Sequence, residues 1–160
     1  MVGALSSRLQ PMIRLETSKR TGIENFQLGD VSDFERNWAA DIPRQYPRIV
    51  PRTDLSPLYN CHGLTFASRR TRIVEPQSIQ RILTDDNWVE LKLEDVLPGD
   101  IVVYYSEEGE PNHSGIVVEV GALSVPKVCS KWGSAGEYLH ILTDCPLFYG
   151  PVKRFFRCRL

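Results

Sequence analysis

Long apolar runs are missing from this sequence. None approaches the roughly 20 residues that a helix needs to cross a bilayer, and the opening Met1-Val2-Gly3-Ala4-Leu5-Ser6-Ser7-Arg8 lacks the continuous apolar core of a secretory signal. The expectation is a soluble chain without membrane association, cytoplasmic or delivered by a secretion system that reads no signal peptide. Charge of one sign is missing too. The formal net charge is -1, with Lys and Arg scattered among Asp and Glu, so there is no basic stripe of the kind that holds nucleic acid. The locally basic Lys153-Arg154-Phe155-Phe156-Arg157-Cys158-Arg159 alternates like an exposed strand. Cysteine is scarce and dispersed: Cys61, Cys129, Cys145 and Cys158 form no Cys-x-x-Cys pair. That pattern argues against a disulfide framework and against a zinc site. Reduced thiols, no metal and no cofactor are expected. Internal repeats and low-complexity segments are lacking as well.

What remains is 160 residues of ordinary globular composition, enough for one domain with a core of its own. Two parts are expected. Residues 1–58 form an N-terminal arm packed on the domain, interrupted by Pro43, Pro47, Pro51 and Pro57. It offers a surface for a protein partner. Within it a short helix is predicted over 33–40, capped by Ser32 or Asp33, with Phe34 and Trp38 on one face. Residues 59–160 form the core. A helix is predicted over 61–72, with Arg69, Arg70 and Arg72 on its far side, and a second helix capped by Ser78 carries Ile79, Ile82 and Leu83. After a turn over 95–100, strands are predicted over 101–105, 113–120, 125–132, 138–142 and 152–158, with a loop over 106–112 and a turn over 121–124. Helices followed by a run of antiparallel strands make an α+β pattern.

The chemistry is concentrated in Tyr59-Asn60-Cys61-His62-Gly63-Leu64-Thr65 and in His113-Ser114-Gly115-Ile116. A thiol at the start of a helix meets unpaired N–H groups and the positive end of the helix dipole, which favour the thiolate. An imidazole at the head of a strand can take the thiol proton and return it to a leaving group. The Cys61 N–H, with Asn60 or Tyr59 as neighbouring donors, is suited to an oxyanion. Cys129, Cys145 and Cys158 read as structural. His62 reads as an exposed helix residue or a wall of the cleft. The aromatics Trp88, Trp132, Tyr104 and Tyr105 read as core and cleft lining, and Gly133 after Trp132 would let backbone approach the cleft.

These motifs occur in a telling order: Asn60-Cys61-His62-Gly63 opening a helix, Leu97-Pro98-Gly99-Asp100-Ile101-Val102 before a strand, then His113-Ser114-Gly115-Ile116-Val117. Over residues 59–132 the chain resembles the NlpC/P60 superfamily of papain-like cysteine hydrolases. Asn60 and His62 stand where that family typically has an acidic residue and a serine. The resemblance implies a papain-like α+β domain with the nucleophile helix packed on an antiparallel sheet. It implies Cys61 as nucleophile, His113 as base and then acid, and a third polar residue on the strand after the histidine strand. Ser130 and Lys131 occupy that strand. His140, one strand later, has the more suitable side chain and is the favoured partner of His113, with Asp144 in reserve.

Together these readings predict a cysteine peptidase or amidase cleaving a peptide or isopeptide bond through a thioester. Its substrate would be a peptidoglycan peptide or an intracellular protein. The same nucleophile serves deamidases and acyltransferases. The competing class is a binding module that kept the fold and lost the chemistry.

Overall fold

The computed structural model describes residues 9–10, 13–121 and 125–159. The start of the chain and most of the turn predicted over 121–124 lie outside them. A two-stranded antiparallel ribbon comes first, β1 (Leu9–Gln10) with β2 (Gln27–Leu28). Ser32 then starts helix α1 (Asp33–Gln45). Its Oγ accepts the Glu35 N–H at 3.2 Å while the Glu35 carboxylate takes the Ser32 N–H, a reciprocal cap. The helix outruns its predicted end because Pro43 falls in the last turn, where a missing N–H removes a single backbone bond, and because Ile42 is fully buried. Strand β3 (Val50–Pro51) follows.

Helix α2 (Cys61–Ala67) is capped by Asn60, whose Oδ1 accepts the Gly63 N–H at 2.9 Å. It is shorter than the predicted 61–72. Ser68 and Arg69 adopt left-handed φ of 51° and 66°, reversing the chain after two turns. Thr71-Arg72-Ile73 therefore run back beside the helix, and Arg72 pairs with Phe26 in an antiparallel bridge. Helix α3 (Pro76–Asp85) starts at Pro76 rather than Ser78, because proline's missing N–H costs nothing in a first turn. Its Ile79, Ile82 and Leu83 are buried as expected. Strands β4 (Trp88–Leu91), β5 (Ile101–Tyr105), β6 (Pro111–Val120), β7 (Pro126–Lys131), β8 (Glu137–Ile141) and β9 (Val152–Cys158) complete the chain. β4 was not anticipated, and β6 begins two residues before His113.

The strands β3–β9 form one seven-stranded sheet in the order β3-β8-β7-β6-β5-β9-β4, every neighbour antiparallel. The fold is α+β. The interior strand β5 is buried on both faces. Val102 and Tyr104 join α1 residues Ala39 and Ile42, with Val117, Val128, Trp132 and Tyr149, in one core. Ile101, Val103 and Tyr105 join Ala67 of α2 and Ile79, Ile82 and Leu83 of α3 in the other. Residues opposite one another across an antiparallel pair share a face. Tyr104 is opposite His113 and Val103 is opposite Ser114, so His113 lies on the α1 side and Ser114 on the α2 side. No helix among the described residues is long and apolar enough to cross a membrane.

Gly63 sets how closely α2 lies against the returning chain: a Cβ there would fall on the Thr71 carbonyl oxygen, which is backbone and cannot swing away. Gly63→Ala is expected to cost about 2–3 kcal/mol of stability, read as a lower urea midpoint at unchanged slope. Gly22→Ala, where a Cβ meets open space, is the control and should shift stability by less than about 0.5 kcal/mol.

Candidate functional site

Asn60 builds the site by tying the first turn of α2 to the chain that returns beside it. Its Oδ1 accepts from Gly63 and, at 3.2 Å, from the Ile73 N–H, while Nδ2 donates to the Ile73 carbonyl at 2.8 Å. Its side chain, accepting two bonds and donating one, serves the fold in a way a carboxylate could not, since a carboxylate has no N–H to donate to Ile73. The next residue, Cys61, is 7 % exposed and forms part of the floor of a cleft of about 350 Å³. The cleft is walled by Phe34, Trp38, Phe148 and Tyr149, and its polar lining is Glu35, Asn60, Arg72 and Asn112. Burial pushes the Cys61 thiol up to about 11. The backbone N–H groups of Ser114 and His62, and the charges of Arg72 and Lys131, pull the other way and recover only part of that shift.

The three histidines have separate fates. His62 is buried rather than exposed: Nδ1 meets Ser114 Oγ at 2.8 Å and Nε2 meets the Pro111 carbonyl at 3.0 Å. His140 is committed at both nitrogens, Nδ1 to the Ile141 carbonyl at 2.8 Å and Nε2 to Ser130 Oγ at 2.7 Å. Ser130 in turn accepts the Trp132 indole N–H at 3.0 Å. His113 is fully buried, stacked on Tyr149 with ring centroids 3.7 Å apart and planes 5° from parallel, and neither of its nitrogens has a hydrogen-bond partner. The anticipated relay of Cys61, His113 and His140 is therefore not hydrogen-bonded here. His140 holds Ser130 instead of His113, because its Nδ1 is turned to the backbone of the following residue. The reserve partner, Asp144, pairs with Arg48 at 3.6 Å.

Beneath Cys61 lies a charged layer that the sequence did not reveal. Glu137 is nearly fully buried and binds Arg69 through both oxygens, at 2.8 and 2.9 Å, and the Tyr59 hydroxyl at 2.5 Å. Tyr59 is thus spent on Glu137 and is not an oxyanion donor. Lys131 is fully buried, with Nζ on the Ser56 and Gly133 carbonyls at 2.9 and 2.7 Å and over the Tyr59 ring. Burial brings its ammonium down to about 7. Trp132 is wholly buried between Trp38 and Tyr138, leaving Gly133 to line the cleft.

Sequence reasoning missed Arg72, Asn112 and Tyr149. Arg72 was read onto an exposed helical face; the left-handed residues at 68 and 69 turn it inward instead. Consecutive positive φ at a serine and an arginine carries no composition signal, so that reversal was hidden. Tyr149 sits on a 3₁₀ turn (Leu147–Tyr149) between Pro146 and Gly150, and the Pro-x-x-x-Gly spacing was the one available hint.

Burial lowers His113 well below the usual imidazole value, His62 to about 4, and His140 in the same direction. The unfolded chain, with histidines near 6.5, therefore binds more protons than the fold as pH drops. Stability should fall from pH 7 toward 5, with a slope of up to about 4 kcal/mol per pH unit if all three contribute. Urea midpoints at pH 7.5, 6.5 and 5.5 measure it, and a flat profile would mean that the buried histidines are not neutral.

The chain matches no family model, and no curated protein or solved structure is significantly similar to it.

Proposed function

We propose that this protein is a cysteine hydrolase of an amide bond, built on a papain-like fold of the NlpC/P60 type, with Cys61 as nucleophile and His113 as its base. One observation carries the reading. Cys61 lines the cleft together with Tyr149, and the Tyr149 ring stacks directly on His113. Of the chain's three histidines, His113 alone has uncommitted nitrogens. A buried imidazole bonded at neither nitrogen forfeits about 1–3 kcal/mol for each unsatisfied group, a cost consistent with a group kept for proton transfer.

The reaction starts from a neutral thiol and a neutral imidazole, since burial disfavours both charged forms. The sulfur bonds to the substrate carbonyl carbon as its proton passes to His113. The C–N bond then breaks, and His113 returns the proton to the departing nitrogen, leaving a thioester on Cys61. Water, deprotonated by His113, cleaves the thioester, and the proton goes back to the sulfur. The Cys61 N–H, with help from Asn112 at the cleft wall, is the group suited to the oxyanion. Peptide or isopeptide substrates fit the aromatic walls. Peptidoglycan peptides and intracellular proteins both remain within that class, as do deamidation and acyl transfer when ammonia leaves or an amine replaces water.

A second reading, a binding module without catalysis, draws on a specific feature: the raised Cys61 thiol and the missing Cys61–His113 hydrogen bond. Iodoacetamide labelling between pH 6 and 9, assigned by mass spectrometry, separates the two. The hydrolase reading expects Cys61 to react ahead of Cys129 and Cys158 near neutral pH, and His113→Ala to slow Cys61 by about a hundredfold while sparing Cys129. If Cys61 is no faster than Cys129, whose thiol is also pushed up to about 11, the binding module is the correct reading.

A further inference from the structure

We infer that Arg72 is a carboxylate-recognition residue, so that the cleft selects molecules presenting a carboxylate close to Cys61. The inference deepens the reading of the Cys61 cleft as a substrate site and rests on it for the role of the bound molecule.

Arg72 lines the same cleft as Cys61 and is only 9 % exposed. Its Nη1 is anchored to the Pro57 carbonyl at 3.3 Å and to Ser134 Oγ at 3.1 Å. Its Nε is buried with no hydrogen-bond partner, and Nη2 makes no hydrogen bond among the described residues. The edge carrying Nε and Nη2 is the one that grips a carboxylate with two parallel bonds. No carboxylate forms an ion pair with Arg72 among the described residues.

The neighbouring acids are already engaged. Glu35, the acid on the cleft wall, holds Ser32 through its N–H and hydroxyl and acts on Arg72 as a nearby charge without forming an ion pair or hydrogen bond with it. Glu137 is taken by Arg69 and Tyr59. The adjacent cation, Lys131, is capped by two carbonyls, so it does not replace Arg72 as the cleft's charged donor. Burying a guanidinium costs several kcal/mol unless a counter-charge and hydrogen bonds compensate. A ligand carboxylate supplies both. Exposed Phe34 and Phe148, with Trp38 between the cleft walls, give an apolar or aromatic group beside that carboxylate a surface to lie on.

The carboxylate can come from a chain terminus or from an acidic side chain, and three probes distinguish these: N-acetylphenylalanine, N-acetylphenylalanine amide and N-acetylglutamic acid α-amide. Binding is measured by NMR titration on the full chain carrying Cys61→Ala, so that no chemistry intervenes. At least one carboxylate probe should bind about tenfold or more tightly than the neutral amide, and the tighter of the two identifies the source. Arg72→Met should abolish the preference, and Arg72→Lys should restore part of it. Equal affinity for charged and neutral probes, or no binding of any of the three, overturns the inference. The Cys61→Ala comparison is decisive even if Arg72→Met fails to fold. It is also independent of thiol reactivity, so a sluggish Cys61 would overturn the hydrolase reading and leave this measurement standing.

Discussion

The contact on which the site depends is the one between the first turn of α2 and the strand-like segment that returns beside it. Asn60 bridges Gly63 and Ile73, and Gly63 leaves no room for a side chain against Thr71. This single join fixes two groups at once. It sets Cys61 at the floor of the cleft, and it brings Arg72, the residue between Thr71 and Ile73, to the same floor. A cap that only started the helix would need one hydrogen bond. Asn60 makes three, and the additional two are to the returning chain rather than to the helix.

Charge burial below this join follows from the same geometry. With α2 so short, Arg69 leaves the helix immediately and reaches Glu137 on β8, while Lys131 on β7 is covered by the loop before α2 through Ser56 and Tyr59. Such groups are expensive to bury. They are tolerated because each is saturated: Glu137 by Arg69 and Tyr59, Lys131 by two carbonyls. Against that background Arg72 and His113 stand apart, as polar side chains buried with nitrogens left over. The layer is satisfied where it supports the site and unsatisfied where it borders the site.

Much of the fold was legible in the sequence because its elements carry strong local signals. The β-branched run of β5 and the alternation of β9 match their strands to the residue, and the helical spacing that begins at Cys61 places the start of α2. The failures have physical causes. The end of α2 depends on left-handed Ser68 and Arg69, which tertiary contacts impose. β4 and β3 are short strands whose identity comes from pairing with β9 and β8 rather than from their own composition. His62, expected as an exposed helix residue or a wall of the cleft, is instead closed over by Ser114 and Pro111 on β6. Of the candidate site, Cys61 and Asn60 were found at the cleft. Tyr59, Trp132 and His140 do not line the cleft and are committed to other partners.

The parity of β6 ties these strands of argument together. A strand sends alternate side chains to opposite faces, so His113 and Ser114 cannot both face α2. Ser114 does, meeting His62 and Thr65, and His113 is turned toward Tyr104 and Tyr149. His113 therefore reaches the cleft only through Tyr149, on whose ring it stacks and which lines the cleft together with Cys61. Asn60, which fixes where the helix begins and ties it to Ile73, therefore places Cys61 at the cleft more directly than any residue in the cores on either side of the sheet.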